Sequence, residues 1–143
     1  MNNISKIIIH CSATSASRII TAADIDKWHK ARGFRKIGYH YVIRRCGTIE
    51  AGRTPYEQGA HARGHNTHSI GICLIGGTTR SGHPKANYSN AQWMSLRTLC
   101  QTLTTFFPQA RVLGHNNLPN VHKSCPCFDA AQWWIKTTKS HKQ

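Results

Sequence analysis

Short apolar runs alternate along the chain with longer segments in which apolar residues recur every three or four positions. Four segments have the pattern of buried or half-buried strands, at residues 6–10, 39–52, 69–77 and 111–115. The second of these turns back at Cys46-Gly47, which predicts a hairpin. Three segments have helical spacing, at residues 21–33, 89–107 and 129–139. Strands that alternate with helices predict an α/β domain built in three layers.

Local signals fix the helix boundaries. Each predicted helix opens with a capping pair three residues apart, namely Thr21 with Asp24, Ser89 with Gln92, and Asp129 with Gln132. Gly33 closes the first helix and Pro108 ends the second. In the first helix, Ile25 and Trp28 share a face. The chain then ends in a basic tail from about residue 138, and we expect its last residues, 140–143, to be frayed.

The charge of the chain is strongly unbalanced. It has 143 residues, enough for one domain with an ordinary core, and carries 19 Lys and Arg against 5 Asp and Glu, a formal charge of +14. Such a charge attracts polyanions: nucleic acid, anionic membranes or an acidic bacterial envelope. The basic residues are scattered and not interleaved with exposed aromatics, so a stacking platform for nucleic acid is not apparent. Charge alone does not choose among these partners.

The start of the chain lacks the pattern of a signal peptide. Its apolar run is only three isoleucines, at residues 7–9, whereas a signal peptide needs roughly 7–15 apolar residues. No run reaches the length of a transmembrane helix. We therefore expect synthesis in the cytoplasm without a signal peptide. The six cysteines could form three disulfides, but free thiols are the default in that compartment.

Two histidines and a cysteine suggest a metal site. His10 and His115 each end an apolar strand, where α/β sheets build their sites, and Cys125 follows ten residues after His115. Two imidazoles and one thiolate are a known ligand set for zinc, and three protein ligands leave a fourth position for water. Spacing alone also allows a disulfide fragment or ordinary packing for the segment HKSCPCFD, residues 122–129.

Four ordered blocks of the sequence resemble one known family. IHCSAT, KIGYHYVIRRCGTIEAGR, GAHARGHNTHSIGICLIGG and KSCPCFD are similar to blocks of the zinc-dependent type-2 N-acetylmuramoyl-L-alanine amidases, above all the small phage lysozyme-amidases. These share their fold with peptidoglycan recognition proteins. The resemblance covers about residues 7–135. It implies one domain, residues 1–143, with a central mixed sheet of about five strands flanked by helices, which we expect to be a monomer.

The resemblance also implies the metal ligands and two helper residues. The zinc ligands of the family fall on His10, His115 and Cys125, while Tyr39 stands in GYH and Lys123 two residues before the cysteine. Cys127 takes a position where a small residue such as serine is common. The segment between the second and third ligands is about two residues longer than in the nearest phage relatives, which makes His122 a further candidate ligand. His61, Arg63 and Asn66 either line a groove for sugar or peptide or hold their loop by hydrogen bonds.

The implied reaction is hydrolysis of the amide that joins the lactyl group of N-acetylmuramic acid to L-alanine of the peptidoglycan stem peptide. Zinc would activate water, Lys123 would stabilise the oxyanion, and Tyr39 would donate to the same oxygen or orient the water. The general base is open: Asp24 and Asp129 fit helix caps, and Glu50 fits a surface group or one that supports a site residue without touching the metal. We expect the zinc-bound water, with Tyr39 and Lys123, to handle the proton.

The favoured interpretation is a phage-type endolysin that acts on the host cell wall, held on the anionic envelope by its basic surface. One alternative is a cytoplasmic amidase that recycles muropeptides. Another is a non-catalytic peptidoglycan-binding protein, although in that branch the cysteine ligand is typically replaced. The resemblance also raises a second role in binding RNA polymerase, for which the sequence shows no dedicated surface.

Overall fold

The fold is built on a five-stranded mixed β-sheet. A computed structural model describes residues 3–141 of the chain. The strands are β1 (Lys6–Cys11), β2 (Thr14–Ser15), β3 (Tyr41–Ile43), β4 (Ile49–Ala51), β5 (Ser69–Leu74), β6 (Gly77–Thr78) and β7 (Arg111–Gly114). The helices are α1 (Ala22–Ala31), α2 (Asn90–Phe106) and α3 (Ala130–His141), and a short 3₁₀ turn spans His115–Asn117.

Strand β1 lies inside the sheet, whose order is β4-β3-β5-β1-β7. It pairs in parallel with β5 on one side and with β7 on the other, while β3 pairs in parallel with β5 and antiparallel with β4. A second, two-stranded sheet joins β2 to β6. The predicted α/β fold class with a five-stranded mixed sheet is confirmed, as is the hairpin that turns at Cys46-Gly47.

The alternation of side chains along the strands places buried apolar residues on both faces of the sheet. Ile7, Ile9 and Cys11 of β1 pack in one core with buried residues of α2, including Leu96, and with partly buried aromatic residues of α3. On the opposite face, Val42 and Cys73 pack with Ile25 of α1. The sheet is therefore sandwiched between α2 and α3 on one side and α1 on the other, which confirms the three layers. His10 follows Ile9 in β1, so its side chain points to the opposite face of the sheet, on the α1 side.

The helix starts follow the capping pairs. The side chains of Thr21 and Asp24 form a full capping box at α1, and those of Ser89 and Gln92 form one at α2. At α3, Asp129 accepts a hydrogen bond from the backbone N–H of Gln132 at 3.2 Å. These local interactions satisfy backbone groups that a helix start would otherwise leave unpaired.

Two details were not predicted from the sequence. The buried face of α1 consists of Ile25 and His29, whereas Trp28 is partly exposed with the guanidinium of Arg18 5.7 Å from its ring centroid. The 3.6-residue period places both 28 and 29 near the inner side, and the cation–π contact keeps the indole at the surface. In addition, α3 continues to His141, so the predicted tail from 138 begins as the last turn of a helix. Residues 142–143 lie outside the described part.

Within residues 3–141, no helix combines the length and apolar character required to cross a bilayer. All six cysteines are free thiols in the structure.

Removal of a core side chain from α2 tests the packing of the α2 face. Leu96 is fully buried, whereas Met94 on the same helix is 71% exposed. We expect Leu96→Ala to lower the free energy of unfolding by about 2–5 kcal/mol, because it leaves a cavity between helix and sheet. Met94→Ala should change it by no more than about 0.5 kcal/mol. Urea denaturation measures both, and equal losses would contradict the assigned helix face.

Candidate metal centre

Three potential ligands converge at one edge of the sheet. His10 comes from the end of β1, His115 from the residue after β7, and Cys125 from the loop that follows. One ligand atom from each lies within 4.8 Å of the others, and the two imidazole centroids are 4.6 Å apart. The parallel pairing of β1 with β7 causes this meeting, because parallel strands end at the same edge.

Backbone interactions hold the cysteine loop against β1. The backbone N–H of Cys11 donates to Sγ of Cys125 at 3.0 Å. The neighbouring Cys11 side chain, together with burial, nevertheless raises the pKa of the Cys125 thiol above its usual value. The N–H of Asn116 donates to the carbonyl oxygen of Cys125 at 2.9 Å, which ties the loop to the 3₁₀ turn. Cys127 points elsewhere, with its Sγ 3.3 Å from the carbonyl oxygen of Gly77. The two neighbouring cysteines therefore have different surroundings.

The electrostatic environment keeps both histidines neutral. Burial, followed by the nearby His61, His115 and Lys123, holds the pKa of His10 well below its usual value. Burial and Lys123 also lower the pKa of His115. A neutral imidazole has a free lone pair, which is the form that binds a metal. His122, the further candidate ligand, is exposed and is not one of the three converging residues.

Tyr39 and Lys123 border the same centre. The Tyr39 ring lies between two histidines, with its centroid 5.3 Å from that of His10 and 5.4 Å from that of His29. Burial, with smaller contributions from Cys73, Cys125 and Cys11, raises the pKa of Tyr39 well above its usual value, so its hydroxyl remains protonated. The exposed Lys123 side chain is close enough to affect the pKa of both ligand histidines.

No carboxylate takes part in this centre, although all five lie within the described residues. Each of the five has a structural partner elsewhere in the fold. Asp24 caps α1 at Thr21, Asp26 binds Lys30 and the N–H of Ile37, Glu50 accepts from the N–H of Ala22, Glu57 binds Arg35 and Lys36, and Asp129 accepts from the N–H of Gln132. The predicted capping roles of Asp24 and Asp129 are confirmed, and no acidic side chain is left for proton transfer at the centre.

The loop after β4 brings His61 to the metal centre. Its Nδ1 lies 2.9 Å from Nε2 of His10, and its Nε2 lies 3.2 Å from Oγ of Ser69. Burial, helped by the neighbouring His40 and His115, lowers the pKa of His61 to about 3. Sequence reasoning singled out His61 but missed Ser69, a polar residue at the start of a buried strand. That unusual placement was the available signal.

The other two residues singled out in this loop are placed differently. Asn66 accepts hydrogen bonds through its side-chain oxygen from the backbone N–H groups of His61 and Ala62, at 2.9 and 2.8 Å. Its geometry is that of a residue that holds the loop. Arg63 is exposed at the loop surface and is not one of the converging residues.

Fold and site together define a class of enzyme. Two neutral imidazoles and one cysteine sulfur converge on one position, at the strand ends of a three-layer α/β domain. A protonated phenol and a primary ammonium group border that position. A set of nitrogen and sulfur donors of this kind is typical of a metal-binding site in a hydrolase.

Comparison with known proteins gives the family. Residues 1–128 match the N-acetylmuramoyl-L-alanine amidase family, Amidase_2, and the chain belongs to it. It is 43% identical to the endolysin of Escherichia phage T7 over 130 residues, which cover 91% of this chain and 85% of that protein. It is 42% identical to the endolysin of Klebsiella phage KP32 over 132 residues, covering 92% and 86% respectively.

A solved structure shows the same fold. The endolysin N-acetylmuramoyl-L-alanine amidase LysCS from Clostridium intestinale URNW superposes with a TM-score of 0.80 at 28% identity, covering 97% of this chain and 85% of that one. Membership of the family confirms the enzyme class that the sequence predicted.

The two neighbouring cysteines allow a matched test of the ligand set. We expect Cys125→Ser to lose bound zinc, because a serine hydroxyl replaces a thiolate ligand. Cys127→Ser should retain one zinc per chain, because its sulfur contacts a backbone carbonyl instead. Metal analysis of the dialysed proteins measures both. Equal loss of zinc from the two variants would show that the wrong sulfur has been assigned.

Proposed function

We propose that this protein is a zinc-dependent endolysin that hydrolyses the amide between N-acetylmuramic acid and L-alanine in peptidoglycan. The observation that carries the proposal is the convergence of His10, His115 and Cys125 within 4.8 Å, without any carboxylate. The similarity to phage endolysins over more than 90% of the chain supports the substrate and the lytic role.

The donor set fits zinc. Imidazole nitrogen and thiolate sulfur are the ligands zinc favours, whereas magnesium and calcium require oxygen ligands that this centre lacks. When bound, zinc lowers the pKa of a coordinated water from about 15.7 toward about 7 and polarises a carbonyl oxygen. His10, His115 and Cys125 would hold it and leave one position open.

The residues around the centre then have distinct tasks. The Lys123 ammonium supplies positive charge where the carbonyl oxygen of the scissile amide becomes negative. The Tyr39 hydroxyl remains protonated and donates a hydrogen bond to that oxygen or to the attacking water. Because every carboxylate is bound elsewhere, Tyr39 and Lys123 are the side chains that hold and deliver protons to the departing amine.

The positive charge supports attraction to the cell envelope. With 19 basic and five acidic side chains, most of the positive charge has no carboxylate that could neutralise it. A bacterial wall with anionic polymers would concentrate such an enzyme at its surface, and salt would weaken the attraction. This charge acts independently of the metal centre.

Hydrolysis of purified cell walls tests the proposed function. We expect the protein to release free L-alanine amino termini from intact peptidoglycan, to lose this activity when a chelator removes the metal, and to regain it with added zinc. Binding to walls without release of amino termini would identify a non-catalytic binder. Faster cleavage of soluble anhydro-muropeptide than of intact wall would identify a recycling amidase.

Lys123 gives a prediction about turnover. We expect Lys123→Ala to retain its zinc and to lose turnover by about 10²–10³-fold, because the charge that stabilises the oxyanion is gone. Lys123→Arg keeps that charge and should lose less. Steady-state rates on purified wall, with zinc content measured in the same samples, make the test. Unchanged turnover in Lys123→Ala would remove this lysine from the mechanism.

A further inference from the structure

A chain of hydrogen bonds runs from the metal centre to the backbone at the opposite end of the sheet. Nε2 of His10 lies 2.9 Å from Nδ1 of His61, and Nε2 of His61 lies 3.2 Å from Oγ of Ser69. The same Oγ lies 2.7 Å from the carbonyl oxygen of His65 and 3.1 Å from that of Asn66. This series of hydrogen bonds therefore ends on two carbonyl oxygens, which can only accept a hydrogen bond.

The carbonyl groups, together with the neutral state of His61, fix the direction of every hydrogen bond in this series. The hydroxyl of Ser69 has one hydrogen, which must point to a carbonyl because two oxygen atoms 2.7 Å apart need a hydrogen between them. Ser69 is then the acceptor for His61, so the ring hydrogen of the neutral His61 is on Nε2. Its Nδ1 has only a lone pair and accepts from Nε2–H of His10.

We infer that His61 and Ser69 are positioning residues that hold His10 as the Nε2–H tautomer and so direct its unprotonated Nδ1 at the metal. The opposite tautomer of His10 would direct an N–H group at the cation, where it could not bind. Metal-ligating histidines usually donate their second ring nitrogen to a partner of this kind. The inference rests on the proposed function only in requiring a metal at this centre.

The sheet is shaped to receive the His61 ring. The face of β5 that lies on the α1 side carries Ser69, Gly71 and Cys73. Because glycine has no side chain, position 71 leaves a gap between the other two. A Cβ atom at Gly71 would lie 2.5 Å from the His61 ring, and one at Gly59 would lie 2.6 Å from it. The ring fills this gap and is perpendicular to that of His10, with the centroids 5.0 Å apart. Its orientation is therefore set by packing as well as by hydrogen bonds.

The same geometry argues against direct substrate recognition by His61. Both of its ring nitrogens have protein partners, so neither is available to a sugar or peptide. Its backbone N–H is bonded to the side chain of Asn66. Of the two interpretations that the sequence left open for this loop, hydrogen bonding within the protein is the one that the contacts of His61 and Asn66 support.

Substitutions at His61 distinguish the effect of its hydrogen-bond acceptor from the effect of its side-chain volume. His61→Leu removes the acceptor and keeps much of the volume, whereas His61→Asn can place an amide oxygen near the position of Nδ1. In metal-free, ¹⁵N-histidine-labelled protein, we expect long-range NMR correlations to show His10 as the Nε2–H tautomer. We expect His61→Leu to lose this signature and to bind zinc about 10–100-fold more weakly in competition with a chelator. His61→Asn should recover much of both.

A second pair of variants, at Ser69, tests the same inference if a His61 variant misfolds. Ser69→Ala removes the acceptor of His61 and should populate both tautomers of His10, while Ser69→Thr retains the hydroxyl and the single tautomer. An Nδ1–H tautomer for His10 in the unsubstituted protein, or wild-type zinc affinity in a folded His61→Leu, would overturn the inference. Because these measurements use no cell wall, a failure of the amidase proposal would leave their outcome unaffected.

Discussion

The parallel pairing of β1 with strands on both sides is the constraint on which the rest of the structure depends. It buries every apolar residue of the run 7–9 and leaves His10 at the edge where β7 also ends. Because His115 follows β7 directly, strand pairing brings the two imidazoles together and no long loop is required. Backbone hydrogen bonds with Cys11 and Asn116 help to hold the cysteine loop in place and so complete the set. Sheet topology therefore creates the centre, and local contacts refine it.

The acidic side chains and the groups around the metal centre occupy different parts of the structure. The few acidic side chains bind helix starts, loop backbones and exposed basic residues, where each satisfies groups that the fold leaves unpaired. The metal centre is surrounded instead by neutral histidines, thiols, a phenol and a lysine. A cation-binding centre without carboxylates favours a borderline metal with nitrogen and sulfur ligands, and it leaves proton transfer to groups with high pKa values.

Much of this could be predicted from the sequence, because the signals are local. Capping pairs and apolar periods gave the helices and strands to within a few residues. The ligand set came from ordered blocks that resemble a family, since spacing alone left the segment around Cys125 ambiguous. The partial exposure of Trp28 was not predictable, because periodicity does not distinguish adjacent positions at the edge of a helix face. The contact of His61 with Ser69 and His10 was not predictable, because it depends on a gap at Gly71 that only the packed sheet reveals.

The centre also links the beginning of the chain to its end, since 114 positions separate Cys11 from the Cys125 sulfur that it contacts. A ribosome must therefore release almost the whole polypeptide before the centre can assemble. Translation products that end between His115 and Cys125 contain both histidines but lack the sulfur. Such fragments cannot complete the ligand set, so the centre assembles only in chains that extend to Cys125 or beyond.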